Sequence, residues 1–154
     1  MNSFDVVVIG AGAIGTSVAY HLTKKGFDVA LVERGDIASG TSSHCDAVAL
    51  ICDKKPGIDT KLGYASIQVF KELAESFSYD FEFRQPGSLY VCETDQEYEV
   101  AADYVKQQQA DGYAMRMVDP YEMQQMEPHL AKDLVGGIWT EPDASMSPYM
   151  LCFA

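Results

Sequence analysis

The beginning of the chain switches between two hydrophobic patterns. Residues 6–9 are a run of β-branched residues, which is typical of a buried strand. Residues 16–25 carry apolar residues at helical intervals, and Gly26 follows where a helix would end. Residues 28–32 form a second short apolar run. This order predicts a strand, a helix and a second strand in a βαβ unit.

After this unit the pattern changes from element to element. The predicted elements are a strand or buried loop at 47–52, a long helix at 59–77, strands at 79–83 and 88–92, a helix at 95–109, a strand at 115–118, a short helix ending before 127, a strand at 136–140 and a helix from 148. The strand at 79–83 is inferred from aromatic residues alternating with charged ones. We expect Tyr79, Phe81, Phe83 and Tyr90 to be core residues more often than pocket residues.

Two helix starts carry capping signals. Asp119 is predicted as an N-cap, with Pro120 in the first helical position and Glu122 completing a capping box. Ser147 is predicted to cap the helix that begins at Pro148.

The turn between the first strand and the first helix has the form G-x-G-x-x-G, with glycines at 10, 12 and 15. In a dinucleotide-binding unit the first glycine makes the turn, the second lets the backbone approach a diphosphate, and the third lets the helix pack close to the strand. Glu33 ends the second predicted strand, 18 positions after Gly15. A carboxylate about 20 residues further on binds a ribose hydroxyl in such units. The alternative is a βαβ unit that binds no ligand.

Residues 34–44 are small and rich in hydroxyl groups. Such a loop can bring backbone N–H groups and hydroxyls to a second part of an extended dinucleotide. The alternative is a surface loop without a ligand. A nicotinamide-binding domain would usually continue directly into its next helix, and this chain does not.

Three segments together, 5–15, 32–34 and 38–42, resemble the FAD-dependent D-amino-acid oxidase family, in its glycine and sarcosine oxidase and amino-acid dehydrogenase branch. The resemblance implies an α/β fold, with a Rossmann-like FAD-binding domain at 1–78 and the beginning of an α+β substrate domain at 79–154. It assigns FAD binding to Gly10, Ala11, Gly12, Ala13, Ile14, Gly15, Glu33, Arg34, Ser39, Gly40, Thr41 and Ser42. Relatives often carry a glycine-rich stretch next, where this chain has Ser43 to Ala47.

The function expected from this resemblance is oxidation of the C–N bond of a small amine or amino acid by hydride transfer to the flavin. An NAD-dependent dehydrogenase and a non-catalytic nucleotide-binding subunit remain alternatives. We expect the chain to be the N-terminal part of a longer protein or one piece of a split one, with the catalytic residues beyond Ala154. An electron-accepting partner protein or an oligomer is left open.

Composition excludes some function classes. The net charge is −12, so phosphate backbones would repel the chain and nucleic acid is not expected as a partner. The first residues predict neither a signal peptide nor a transmembrane segment. The four cysteines are irregularly spaced, which indicates free thiols and a cytoplasmic location. His44, Cys45, Cys52 and Asp53 match no zinc spacing, and we expect no metal.

Overall fold

The computed structural model describes residues 3–154, so the first two residues of the predicted FAD domain lie outside the described part. Its elements are β1 (Val6–Ile9), α1 (Ala13–Lys24), β2 (Val29–Val32), β3 (Val48–Ala49), α2 (Ile58–Ser76), β4 (Ser88–Cys92), α3 (Asp95–Ala110), β5 (Met115–Val118), α4 (Pro120–Met126), β6 (Gly136–Thr140), β7 (Ala144–Ser145) and α5 (Pro148–Phe153), with a 3₁₀ turn at Thr41–Ser43.

Contacts divide the chain into two compact units. The first contains the residues up to Val48, Leu73–Phe83 and Met146–Ala154, and the second contains Ala49–Glu72 and Arg84–Ser145. Each unit is therefore assembled from separate stretches, whereas the predicted domains, 1–78 and 79–154, are continuous. Those two domains stay a prediction.

The first unit contains the predicted βαβ arrangement. β1 and β2 pair in parallel, with Val6 opposite Val29 and Ile9 opposite Val32. The helix between them begins at Ala13, three residues before the predicted start, because the glycine turn closes immediately into helical backbone. Gly26, with φ of +89°, follows the helix in the left-handed conformation that glycine adopts without strain.

The second unit is built on a three-stranded antiparallel sheet in the order β4-β6-β5. Tyr90 lies opposite Ile138, which in turn lies opposite Met117. The unit has an apolar core made mainly by α3, α4 and this sheet, comprising Ala101, Val105, Met115, Val118, Met123 and Ile138. Thr94 caps α3 in a reciprocal capping box with Glu97.

A buried carboxylate joins distant parts of the second unit. Asp143 has no exposed surface, and its Oδ1 accepts the N–H of Ile51 at 2.6 Å. Its Oδ2 accepts the hydroxyl of Ser88. Burying a carboxylate is favourable only when such donors replace water, so these bonds fix the backbone at Ile51 and the start of β4.

The predicted strand at 79–83 is wrong. This segment is an irregular loop, in which Glu82 adopts a φ of +61° and its N–H donates to Asp80 Oδ1 at 2.7 Å. An aspartate that binds a backbone N–H two residues later offers the chain a turn in place of a sheet ladder. Phe81 is fully buried, but Tyr79 and Tyr90 are about half exposed, so the core assignment is wrong for those two residues.

The capping predictions have mixed outcomes. Asp119 accepts the N–H of Glu122, and Ser147 accepts the N–H of Met150, as expected for N-caps. The predicted capping box at Glu122 is wrong, because the Glu122 carboxylate instead forms a bidentate salt bridge with Arg116. An arginine in reach offers a charged donor that a single backbone N–H cannot match.

Replacing Asp143 tests the buried bonds. Asp143→Ala leaves the Ile51 N–H and the Ser88 hydroxyl without their acceptor, so we expect the free energy of unfolding to fall by about 2–4 kcal/mol. Asp103→Ala is the matched control, because Asp103 is exposed and pairs only with Lys106 on the helix surface. Urea unfolding curves of both variants measure the difference, and equal stability losses would contradict the role of Asp143.

Candidate cofactor-binding site

The turn from β1 into α1 depends on a very close approach between two backbone segments. Gly10 adopts a φ of +103°, and its N–H donates to the carbonyl of Val32 at 2.7 Å. A Cβ on Gly15 would lie 1.8 Å from the carbonyl oxygen of Gly10. Gly15 therefore has to be glycine for the first turn of the helix to pack against the end of β1.

The start of α1 has no cap from its own N-cap residue. Gly12 is the N-cap and carries no side chain that could bind the first N–H groups. Ile9 and Ile14 beside the turn are 87% and 82% exposed. A helix N-terminus offers N–H groups and a positive dipole end to an anion. Exposed apolar side chains around such a start are typical of a ligand-binding groove.

Glu33 lies at the end of β2 and reaches back to the glycine turn. Its Oε2 accepts the N–H of Ala11 at 2.9 Å, and its Oε1 accepts the N–H of Gly35 at 3.0 Å. These bonds, first that from Ala11, lower the pKa of Glu33 from its ordinary 4.5, with a smaller contribution from Arg34. A carboxylate has about four acceptor positions, so two remain for hydroxyl groups of a ligand.

Residues 34–44 fold back onto the same turn. The N–H of Ala38 donates to the carbonyl of Ala11 at 3.0 Å, and Ser42 Oγ accepts the N–H of Ala13, also at 3.0 Å. Ala38 is buried and has a φ of +61°. The structure thus brings Ser42 to the predicted glycine residues, while Arg34, Ser39, Gly40 and Thr41 lie exposed on the same loop.

Sequence reasoning missed two parts of this region. Ala38 anchors the loop, but an alanine carries no motif that would reveal it. Tyr149 and Phe153 of α5 pack ring against ring at 4.9 Å. They line an open pocket of about 570 Å³ together with Gly35, Asp36, Ile37, Ser39, Ser43 and His44. His44 itself is a hydrogen-bonded loop residue, with Nδ1 2.8 Å from the carbonyl of Gly40.

The second unit has an open pocket of its own, about 490 Å³ in volume, beside α3. Cys52, Asp53, Glu97 and Tyr104 are among its lining residues. Burial is the largest cause that raises the pKa of Cys52 to about 11. The thiol is therefore protonated at neutral pH and is not an activated nucleophile. Within residues 3–154 no three His, Cys, Asp or Glu side chains cluster as metal ligands.

The residues present fit the diphosphate and ribose of a dinucleotide. The N-cap residue of α1 is Gly12, which has no side chain. Gly10 has the positive φ that the tight turn of the motif requires. Glu33 keeps acceptor positions for ribose hydroxyl groups. All of these lie within one compact unit. The fold and the site together define a dinucleotide-binding α/β protein.

Comparison with known proteins identifies the family. Residues 5–154 match the family model described as FAD dependent oxidoreductase, and the chain belongs to that family. This result confirms the predicted family resemblance and fold class, and it selects FAD over NAD as the cofactor.

Individual relatives match along nearly the whole chain. Dimethylglycine dehydrogenase of Rattus norvegicus is 29% identical over 153 residues, which are 97% of this chain and 18% of the relative. Glycine oxidase of Bacillus licheniformis is 30% identical over 163 residues, covering 98% of this chain and 41% of the relative. The crystal structure of glycine oxidase from Bacillus cereus ATCC 14579 superposes with a TM-score of 0.85 at 25% identity, covering 99% and 43%. The chain thus spans less than half the length of these proteins.

The close approach at the turn predicts a large effect of one methyl group. In Gly15→Ala the added Cβ cannot avoid the Gly10 carbonyl, so we expect the free energy of unfolding to fall by about 2–3 kcal/mol. Gly40→Ala is the control, because a Cβ there meets no atom within 4 Å. Denaturant unfolding without cofactor measures both, and a Gly15→Ala variant as stable as Gly40→Ala would contradict the packing.

The hydrogen bonds of Glu33 predict a pH dependence. The pKa of Glu33 is lower in the folded chain than its ordinary 4.5. The ionised carboxylate therefore stabilises the fold above pH 4.5, and this stabilisation is lost as the pH falls through the pKa of the folded chain. We expect Glu33→Gln to be less stable than the unmodified chain at pH 7, with the difference shrinking at acid pH. Thermal unfolding across this range measures it. A difference independent of pH would show that ionisation of Glu33 is not involved.

Proposed function

We propose that the protein is an FAD-dependent oxidoreductase that oxidises the C–N bond of a small amine or amino acid. The observation that carries this proposal is the assembly of the glycine turn, Glu33 and Ser42 at one helix start in a chain of the FAD dependent oxidoreductase family. A non-catalytic nucleotide-binding subunit is not favoured by any particular contact in the site.

The cofactor assignment names these residues by role. Within the segment Gly10 to Gly15, the N–H groups of Gly10, Ala11 and Ala13 already donate to Val32, Glu33 and Ser42, so the remaining N–H groups would receive the diphosphate. Glu33 would accept hydrogen bonds from the adenosine ribose, with Arg34 beside it. Ser39, Gly40, Thr41 and Ser42 would follow the diphosphate towards the flavin.

The substrate class is supported by the relatives. The matching proteins include a glycine oxidase and a dimethylglycine dehydrogenase, whose names describe oxidation of an amino acid and of an N-methylated amino acid. We infer a small primary, secondary or tertiary amine that carries a carboxylate.

The contribution of the chain to the reaction is binding and orientation. When bound, FAD would supply an electron-accepting ring for oxidation of the substrate C–N bond by hydride transfer. The residues of this chain would hold the cofactor at its diphosphate and ribose and so orient it. Because its pKa is lowered, Glu33 is ionised at neutral pH and provides hydrogen-bond acceptors for the cofactor.

Other properties stay proposals. No helix within residues 3–154 combines the length and the apolar character needed to cross a membrane. The cytoplasmic location remains a prediction from cysteine usage, and an electron-accepting partner or oligomer remains open.

An absorption spectrum tests the proposal. We expect the protein, expressed from its whole gene, to show flavin absorption bands, and heat release to yield FAD. Anaerobic addition of glycine, sarcosine or dimethylglycine should bleach these bands, because the ring is reduced when the C–N bond is oxidised.

Lactate is the matched control substrate, since it replaces the amine by a hydroxyl group on a small carboxylate. Bleaching by lactate but by none of the amines would contradict the C–N assignment. A colourless protein that does not take up FAD would contradict the cofactor assignment as well.

A further inference from the structure

The cap of α1 comes from a distant part of the chain. The first N–H groups of a helix have no partners within the helix and are usually satisfied by the N-cap side chain. Gly12 has no such side chain, and the N–H of Ala13 instead donates to Ser42 Oγ at 3.0 Å, across 29 positions of sequence.

The same hydroxyl occupies the space where a side chain on Gly12 would be. A Cβ built on Gly12 would lie 2.9 Å from Ser42 Oγ and 4.0 Å from Ser42 Cβ. Among the described residues, apart from its neighbours in chain and helix, Ser42 alone has atoms within 4 Å of that position. The backbone does not require glycine there, because the φ of Gly12 is −84°.

We propose that Gly12 is glycine in order to admit the Ser42 hydroxyl, and that Ser42 is a positioning residue that caps α1 and holds residues 39–44 against the glycine turn. The usual explanation of the second glycine is the approach of a phosphate to the backbone. In this chain the Ser42 hydroxyl lies 2.9 Å from the position of a Cβ on Gly12, so the glycine is needed before any phosphate binds. The consequence for cofactor affinity rests on the proposed function, whereas the contact between Gly12 and Ser42 does not.

Ser42 is held in this orientation from a second side. Helix α5 packs on α1 and on the 3₁₀ turn that contains Ser42. The turn that carries Ser42 is therefore supported by α5 as well as by the bond from the Ala13 N–H.

The loop has an independent anchor, which makes substitutions at Ser42 informative. The bond from Ala38 N–H to the Ala11 carbonyl remains when the Ser42 hydroxyl is removed. We therefore expect Ser42→Ala to fold, with the loop less firmly positioned at the helix start.

A double-mutant cycle without ligand tests the contact. In the full chain, we expect Gly12→Ala and Ser42→Ala each to lower the thermal midpoint by about 2–4 °C. Removing Oγ leaves the nearest Ser42 atom at ordinary contact distance from the new Cβ. The double variant should therefore be no less stable than Ser42→Ala. Additive losses would overturn the proposal, because independent sites add.

Titration with FAD tests the positioning role. We expect Ser42→Ala to raise the Kd for FAD about tenfold. Ser42→Thr, which keeps the hydroxyl, should restore the affinity to within about twofold. The double variant should bind FAD as well as Ser42→Ala does. Ser43→Ala is the matched control, because the Ser43 hydroxyl lies on the same loop but, within residues 3–154, is hydrogen-bonded to Gly40 and His44 and not to the helix start.

The outcomes separate the two proposals. An unchanged Kd in Ser42→Ala overturns the positioning role. If the double variant binds FAD about tenfold more weakly than Ser42→Ala, the ligand itself requires glycine at position 12. That result overturns the proposal that Gly12 is glycine in order to admit the Ser42 hydroxyl. If the unmodified protein binds no FAD, the proposed function and the cofactor part of this inference both fail, while the thermal cycle still decides the contact.

Discussion

The first unit depends on the distance between the carbonyl of Gly10 and the first turn of α1. Because no Cβ stands at Gly15, the helix begins at Ala13, directly after the glycine turn that follows the strand. The parallel pairing of β1 with β2 then places Glu33 beside that turn. The site is therefore a consequence of how closely one backbone segment packs on another, and its polar groups are arranged around that contact.

The polar groups of the site are satisfied by the chain itself. Glu33 accepts two backbone N–H groups, and Ser42 accepts a third. Such bonds cost a cofactor little, because a carboxylate keeps further acceptor positions and a hydroxyl keeps its proton to donate. They also reduce the ordering that binding would otherwise require. The same bonds therefore fix the loop and hold the groups proposed to bind the cofactor.

In the second unit, too, a carboxylate is satisfied by hydrogen-bond donors of the chain itself. Asp143 is fully buried, and the Ile51 N–H and the Ser88 hydroxyl are its partners. Its sheet is antiparallel and its core comes mainly from α3, α4 and the strands. This unit has an open pocket, but the raised pKa of Cys52 argues against nucleophilic attack by that thiol. Oxidation chemistry in this family is supplied by the flavin, so a protonated thiol is consistent with the proposed function.

Local sequence determined the elements whose signals lie within a few residues. The βαβ unit, the caps at Asp119 and Ser147 and the glycine motif were all readable, because hydrophobic period, capping and turn geometry depend on near neighbours. The same reasoning failed at 79–83, where alternation predicted a strand but the Asp80 side chain stabilised a turn. Only the tertiary structure brought Ser42 to Ala13 and Asp143 to Ile51, across 29 and 92 positions. These contacts depend on the path of the whole chain, and no local period records that path.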